Sequence, residues 1–324
     1  MRITMINVGY GDAILFQGSS GFTALLDGGS ALQSEFDGSP YRIRAADYLQ
    51  REGITELDAL FISHIHEDHV CGLEPVMERC AVKDIYVPYP VEPFLKGCEL
   101  HPSPGAFRSV PLYTNALNAY RRILLRAVKT GTSITVTGPG DTLALGSELT
   151  VKVLGPKPGI VHSYMELVKE AYASAGREAA VTELLTKLDA ASNQTSMLLR
   201  FEVEEVVFLS AADSCPREWG GVPSFLLENV NVLKLPHHGQ IDSISEQFMK
   251  EMPLEYVITT SGSDRRYNSS HPQVYQRLLQ WRNSHPPRFL FSDERSYPPY
   301  FSRPEGFQAI VLEINSGGIT PEFI

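Results

Sequence analysis

The chain is poor in several things, and each shortage narrows what it does. Four cysteines (Cys71, Cys80, Cys98, Cys215) are scattered through 324 residues, with no C-x-x-C pair. That pattern argues against a disulfide framework and for free thiols in a reducing compartment. No apolar run is long enough to span a bilayer. The N-terminus, Met1 to Val8, enters a strand at once and has neither a long apolar stretch nor a small-residue cleavage site, so a cytoplasmic protein is expected. Positive charge is scarce: 28 Lys and Arg against 38 Asp and Glu leave a net charge of -10. This disfavours a nucleic-acid partner, leaving room only for a local basic channel. Low-complexity segments and short-period repeats are absent. The length suits one large domain or two ordinary ones with a sizeable core.

Metal-ligand residues, by contrast, are concentrated. In Ser63-His64-Ile65-His66-Glu67-Asp68-His69, three histidines and an aspartate fall in the six positions from His64 to His69, although the whole chain has only nine histidines. The segment directly follows Leu57–Ile62, which reads as a buried strand. A strand end is rigid, and the loop beyond it can aim several side chains at one point. Imidazole and carboxylate are the ligands that zinc, iron and manganese take.

The rest of the chain reads as strands and helices in alternation. Residues 1–30 form a strand meander. A helix over 42–52 precedes the 57–62 strand; a helix at 72–79 and a strand at 84–87 follow the metal loop. Residues 88–131 open with Pro88, Pro90 and Pro93 and end in an amphipathic helix, a texture that reads as an insertion beside the site. Strands resume at 133–154, and a helical stretch covers 164–189. The second half repeats the logic: strands at 196–203, 206–210, 230–235, 256–260, 289–292 and 309–313, with helices at 217–227, 243–250 and 273–282. Strand runs followed by strand–helix alternation in each half predict two packed sheets with helices outside, in a single domain spanning 1–324.

Four further motifs fall at strand ends. Leu25-Leu26-Asp27-Gly28-Gly29 and Leu209-Ser210-Ala211-Ala212-Asp213 each end an apolar strand in aspartate. Val232 to Gly239 ends a buried strand in Pro236-His237-His238-Gly239. Tyr267 to Pro272 sets His271 just before a helix. This set, in this order, resembles the metallo-β-lactamase superfamily, within it the branch containing the ComEC-type competence-protein hydrolase domain. The closer likeness lies in Asn7-Val8-Gly9-Tyr10-Gly11-Asp12-Ala13, in Ser192 to Leu198, and in the Pro236 to Gly239 ending.

The resemblance implies an α/β fold, the αββα four-layer sandwich with a metal centre at one edge of the sheets. It implies that His64 and His66 bind a first metal, that Asp68, His69 and His237 bind a second, and that Asp213 bridges them. Asp27 would orient a ligand histidine through its other ring nitrogen. One departure is plain: where many family members have a histidine before the bridging-aspartate strand, this chain reads Asn193-Gln194-Thr195-Ser196. The first metal is then completed by water, Asn193 or His271. The expected cofactor is one or two divalent ions, zinc ahead of manganese or iron.

A divalent cation lowers the pKa of bound water from 15.7 to about 7. The expected activity is therefore metal-dependent hydrolysis by a metal-activated hydroxide, and the ComEC-type resemblance implies a phosphodiester or other phosphoester as substrate. Asp68 would serve the reaction directly, and His238 or His271 would bind the substrate oxyanion or protonate the leaving group. A lactonase or thioesterase with the same centre, and a non-catalytic metal-binding module, are the alternatives. The expected partner is a small-molecule or phosphoester substrate, with no membrane.

Overall fold

The computed structural model describes residues 1–250 and 252–324. Its strands are β1 (Arg2–Ile6), β2 (Ile14–Gln17), β3 (Thr23–Leu26), β4 (Glu56–Phe61), β5 (Ala81–Val87), β6 (Ser133–Val136), β7 (Thr142–Leu145), β8 (Leu149–Gly155), β9 (Leu198–Val203), β10 (Val206–Ser210), β11 (Val232–Lys234), β12 (Tyr256–Thr259), β13 (Arg288–Phe291), β14 (Ser296–Tyr297), β15 (Phe301–Ser302), β16 (Ala309–Asn315) and β17 (Gly318–Phe323). One sheet runs β17-β16-β1-β2-β3-β4-β5-β6 and the other β13-β12-β11-β10-β9-β8-β7. In each sheet one half is antiparallel, and the half carrying the site is parallel: β3 through β6, and β10 through β13.

Alternation along the strands makes the layers. On β1 to β4, Ile3, Met5, Ile14, Phe16, Ala24, Leu26, Ala59 and Phe61 face the other sheet, meeting Phe201 and Phe208. Their neighbours Ile6, Leu15, Leu25 and Leu60 face the helices outside, as a period of two requires. This is the αββα sandwich.

Three expectations need correction. Residues 88–131 are not an insertion beside the core. Parallel neighbours β5 and β6 need a crossover, and the helix Ser109–Thr130 is that crossover. It buries Tyr113, Leu117, Tyr120 and Leu124 in the outer core; the prolines belong only to its approach. The single helical stretch at 164–189 is two helices, Pro158–Ala173 and Glu178–Ser192, broken around Gly176 at φ +86°. The helix expected at 217–227 is a pair of 3-10 turns, Pro216–Trp219 and Ser224–Leu226, because Gly220, Gly221 and Pro223 interrupt it. Strand β17 was not anticipated, since Pro321 lies within it; it is an edge strand, where proline is tolerated. Among the described residues no helix is long and apolar enough to cross a membrane.

Candidate metal centre

Parallel strands deliver their carboxyl ends to one edge, and open α/β sheets bind ligands there. Asp27 follows β3, the His64 to His69 loop follows β4, Asp213 follows β10, and Pro236 to Gly239 follows β11. The two sheets thus bring their aspartates and histidines to one place. The Gly9 to Asp12 turn closes one side: the Asp12 N–H donates to the Asp68 carbonyl at 3.1 Å. A Cβ on Gly11 would stand 2.3 Å from that carbonyl oxygen, at φ +133°, so only glycine fits. The helix Glu178–Ser192 closes the other side, with the Ser192 hydroxyl donating to the Ile65 carbonyl at 2.8 Å.

Two donor groups share Asp213. The first is Asp68, His69, Asp213 and His238; the second is His64, His66 and Asp213. In each group the donor atoms all lie within 4.8 Å of one another. In the first, His238 Nε2 lies 3.1 Å from Asp68 and 3.3 Å from Asp213, and His69 Nε2 lies 3.4 Å from Asp213 and 3.7 Å from Asp68. Bonds of about 2.0–2.1 Å to a tetrahedral ion set ligand atoms about 3.3 Å apart, so the spacing fits. His69 Nε2, His238 Nε2 and Asp213 Oδ1 are buried and meet no hydrogen-bond partner of good geometry. Leaving such groups unpaired costs free energy, and a cation between them satisfies all three.

The far sides of the rings are fixed. His69 Nδ1–H donates to Asp27 Oδ2 at 2.9 Å, and His238 Nδ1–H donates to the Thr260 carbonyl at 2.6 Å. Both Nε2 lone pairs are thereby turned to the centre. Asp27 also accepts the Ser63 hydroxyl at 2.5 Å, and that hydroxyl lies 3.0 Å from His64 Nδ1. One buried carboxylate therefore orients a histidine of each group. Beneath them the fully buried Lys234 pairs with Asp12 at 2.5 Å, and Asp12 lies 3.8 Å from both His69 Nδ1 and His238 Nδ1.

The second group is looser. His64 Nε2 lies 3.1 Å from His66 Nδ1 and 3.8 Å from Asp213 Oδ2. His66 turns its Nε2 to Asp189, 3.3 Å from the carboxylate, and is 17% exposed.

Charge follows position. Burial, reinforced by His69, holds His64 well below the usual imidazole range, so it is a neutral ligand. Burial also works against charge on His69 and His238, but Asp213 and Asp68 outweigh it. His69 is raised strongly, and His238 is pushed up to about 9. Burial would raise Asp68 and Asp213, yet the same histidines pull both down. Protons and a divalent cation would therefore compete for the same Nε2 atoms, and a cation bound there would replace the charge that the carboxylates draw to the two rings.

The sequence reading placed His237 with Asp68 and His69, and His238 toward the substrate. The rings lie the other way round. Both residues are left-handed, at φ +48° and +52°, and this turn sends His238 inward. His237 instead faces Cys215 and Asp242, with its Nε2 at 3.1 Å from the Asn193 amide. His271 also lies elsewhere: its Nδ1 accepts from the Gln273 N–H at 3.3 Å, capping the helix Pro272–Trp281. Asn193 lines the cavity, its Oδ1 buried and unpartnered. Sequence reasoning missed Ser63, Thr260 and Asp189, which act through neighbours and leave no motif; the Asp12–Lys234 pair was visible only as an aspartate in a glycine turn and a lysine in an apolar strand.

Above the centre opens a cavity of about 400 Å³, lined among others by Tyr10, Phe107, Arg108, Leu112, Asn193 and Tyr267. Phe107 is 80% exposed and Tyr267 56%. Arg266, its neighbour in sequence, is tied to Glu35 and Asp264.

The family model described as "Metallo-beta-lactamase superfamily" matches residues 6–176, which include Asp27 and the His64 to His69 loop. ComE operon protein 3 of Bacillus subtilis (strain 168) is 24% identical over 328 residues. That alignment takes in 92% of this chain and 34% of the relative, so the chain spans about a third of that protein's length. Isothiocyanate hydrolase from Delia radicum gut bacteria superposes with a TM-score of 0.45 at 14% identity, over 90% of this chain and 96% of that one. Zn(2+)-bound PqqB from Methylobacterium extorquens does so with 0.44 at 9% identity, over 90% and 97%. The chain belongs to the metallo-beta-lactamase superfamily and is related in sequence to ComE operon protein 3.

Proposed function

We propose that this chain is a metal-dependent phosphoesterase, with phosphodiesters as the favoured substrates. Asp68, His69, Asp213 and His238 would hold one divalent ion, and His64, His66 and Asp213 a second. When bound, such ions supply a nucleophile at neutral pH and polarise the oxygens of the scissile group. The observation that carries the reading is the convergence of three buried, unpartnered atoms, His69 Nε2, His238 Nε2 and Asp213 Oδ1.

The chain's own residues do the rest. Asp27 and the Thr260 carbonyl keep the imidazoles in one tautomer, so no reorientation is needed when a ligand arrives. Arg108 at the cavity wall offers a cation to an anionic substrate, which a lactone or thioester does not require. Phe107, Leu112 and Tyr267 offer apolar surface to its organic part. Zinc is the favoured metal, since imidazole and carboxylate in a tetrahedral spacing suit it.

The test is hydrolysis of bis-p-nitrophenyl phosphate by metal-loaded protein, beside a lactone and a thioester. Turnover of the phosphodiester should track metal content and vanish in Asp68→Ala and His238→Ala. Turnover of the lactone or thioester alone sinks the phosphoesterase reading. Stoichiometric metal with no turnover of any substrate leaves a non-catalytic module.

A further inference from the structure

The left-handed turn at His237 and His238 aims consecutive histidines at different places, and backbone strain of this kind is retained where the surroundings demand it. His238 joins the centre. His237 Nδ1 faces Asp242 Oδ1 at 3.3 Å and Cys215 Sγ at 4.0 Å, and the three donor atoms lie within 4.8 Å of one another. We propose that Cys215, His237 and Asp242 form a separate site for a thiophilic divalent cation such as zinc or cadmium.

The spacing suits such an ion. Bonds of about 2.3 Å to sulfur and 2.0–2.1 Å to nitrogen and oxygen set tetrahedral donors roughly 3.3–3.6 Å apart, so His237 Nδ1 and Asp242 Oδ1 already stand at that spacing and Cys215 Sγ need close on His237 by only a few tenths of an ångström. The donors come from three turns: Cys215 follows β10, His237 follows β11, and Asp242 lies in the turn closed by the Ser243 N–H on the Gln240 carbonyl at 2.9 Å. None of the three belongs to the two groups around Asp213. Access is also separate. Asp242 lines another cavity of about 450 Å³, with Pro216, Trp219 and Phe248 among its walls. Asp242 is 38% exposed and His237 20%, which leaves a coordination position open to solvent.

The imidazole can be turned to this use. His237 Nε2 meets the side-chain amides of Asn193 at 3.1 Å and Gln240 at 2.9 Å. Asn193 Oδ1 is buried without a partner. Half-turns of both the Asn193 and Gln240 carboxamides put oxygens toward His237 Nε2 so that it can donate an Nε2–H, the tautomer that frees Nδ1 for a cation.

A Cys–His–Asp nucleophile is the rival use of the same side chains. It fails on geometry: Cys215 Sγ and Asp242 Oδ1 both face His237 Nδ1, whereas a base that takes a nucleophile's proton on one ring nitrogen is held by the carboxylate on the other. The Asp242 and Asp213 carboxylates, which oppose a bare thiolate, favour a cation, and coordination deprotonates the thiol, releasing its proton to water. Since His237 and Asn193 both line the cavity above the centre, occupancy here fixes two walls of that cavity.

Cadmium is the probe, added to the purified full chain and read by the ultraviolet cadmium–thiolate charge-transfer band. The band should saturate at one thiolate-bound cadmium per chain in the wild type, in Cys98→Ser, which lacks the exposed thiol, and in Asp68→Asn, which cripples the centre. It should vanish in Cys215→Ser. His237→Gln and Asp242→Asn, which keep the thiol, should each weaken cadmium binding roughly tenfold or more. No band in the wild type overturns the proposal. So does a band that survives Cys215→Ser, one that disappears with Cys98→Ser, or one unchanged in both His237→Gln and Asp242→Asn. Loss of the band in Asp68→Asn would also overturn it, since the thiolate site would then depend on the centre rather than stand apart from it. None of these readouts depends on the hydrolase reading.

Discussion

The two donor groups that share Asp213 differ in what stands behind them. Asp68, His69 and His238 are backed by strand ends: Asp27 after β3, Thr260 after β12, and the buried Lys234–Asp12 pair under both rings. His64 leans on the same Asp27 through Ser63, but His66 leans on Asp189, which belongs to a helix outside the sheets. The first group is thus set by the geometry of two sheets. The second depends on how one helix sits against one loop. A site built from strand ends is rigid before its ligand arrives, and a site that borrows from a separate layer is rigid only while the layers stay in register.

The sharpest way to break this contrast is to remove what the groups share. In a Cys215→Ser background, Asp213→Asn should abolish the centre as a unit, with metal content by elemental analysis falling to background; retention of one full equivalent there would mean that the groups do not depend on the bridge. Next in size is Lys234→Met, which leaves Asp12 as an unpaired buried carboxylate. Breaking such a pair costs about 3–5 kcal/mol, to be read from urea unfolding, and the loss should fall on the first group. Asp27→Ala comes third. It should weaken metal binding about 10–100-fold for both groups, because His69 and His64 both turn on it. If competition with a chromophoric chelator shows only one class of site weakened, the shared support through Ser63 is wrong. Asp189→Ala is the mildest. It should loosen only the second group, by about tenfold at the low end of the same range, leaving the first unchanged in the same assay.

Much of this was legible in the sequence. Apolar or alternating runs mark the strands of the first thirty residues, and apolar strands ending in Asp27, His64, Asp213 and His237-His238 announce one edge; which face meets the other sheet was not legible, because both faces are apolar. The part that was not legible concerns direction. In Pro236-His237-His238-Gly239 no period of two or 3.6 applies, and two consecutive left-handed residues decide which ring points inward. The helix Ser109–Thr130 was misjudged because prolines in its approach outweighed its buried stripe of Tyr113, Leu117, Tyr120 and Leu124. His271 precedes Pro272 at a helix start, and there its local capping use won over any distant one. Asp189 sits on a helix surface, and only tertiary packing brings it to His66.

The order of strands has one more consequence. The first sheet is completed by β16 and β17 from the far end of the chain, and β1 sits between β16 and β2. The helices Pro158–Ala173 and Glu178–Ser192 also join the core that the first sheet builds, although they lie beyond β7 and β8 of the second. A protease cut in the exposed 139–141 turn, between β6 and β7, would therefore leave two fragments sewn through one another. Under native conditions the nicked protein should elute as one particle and separate only in denaturant.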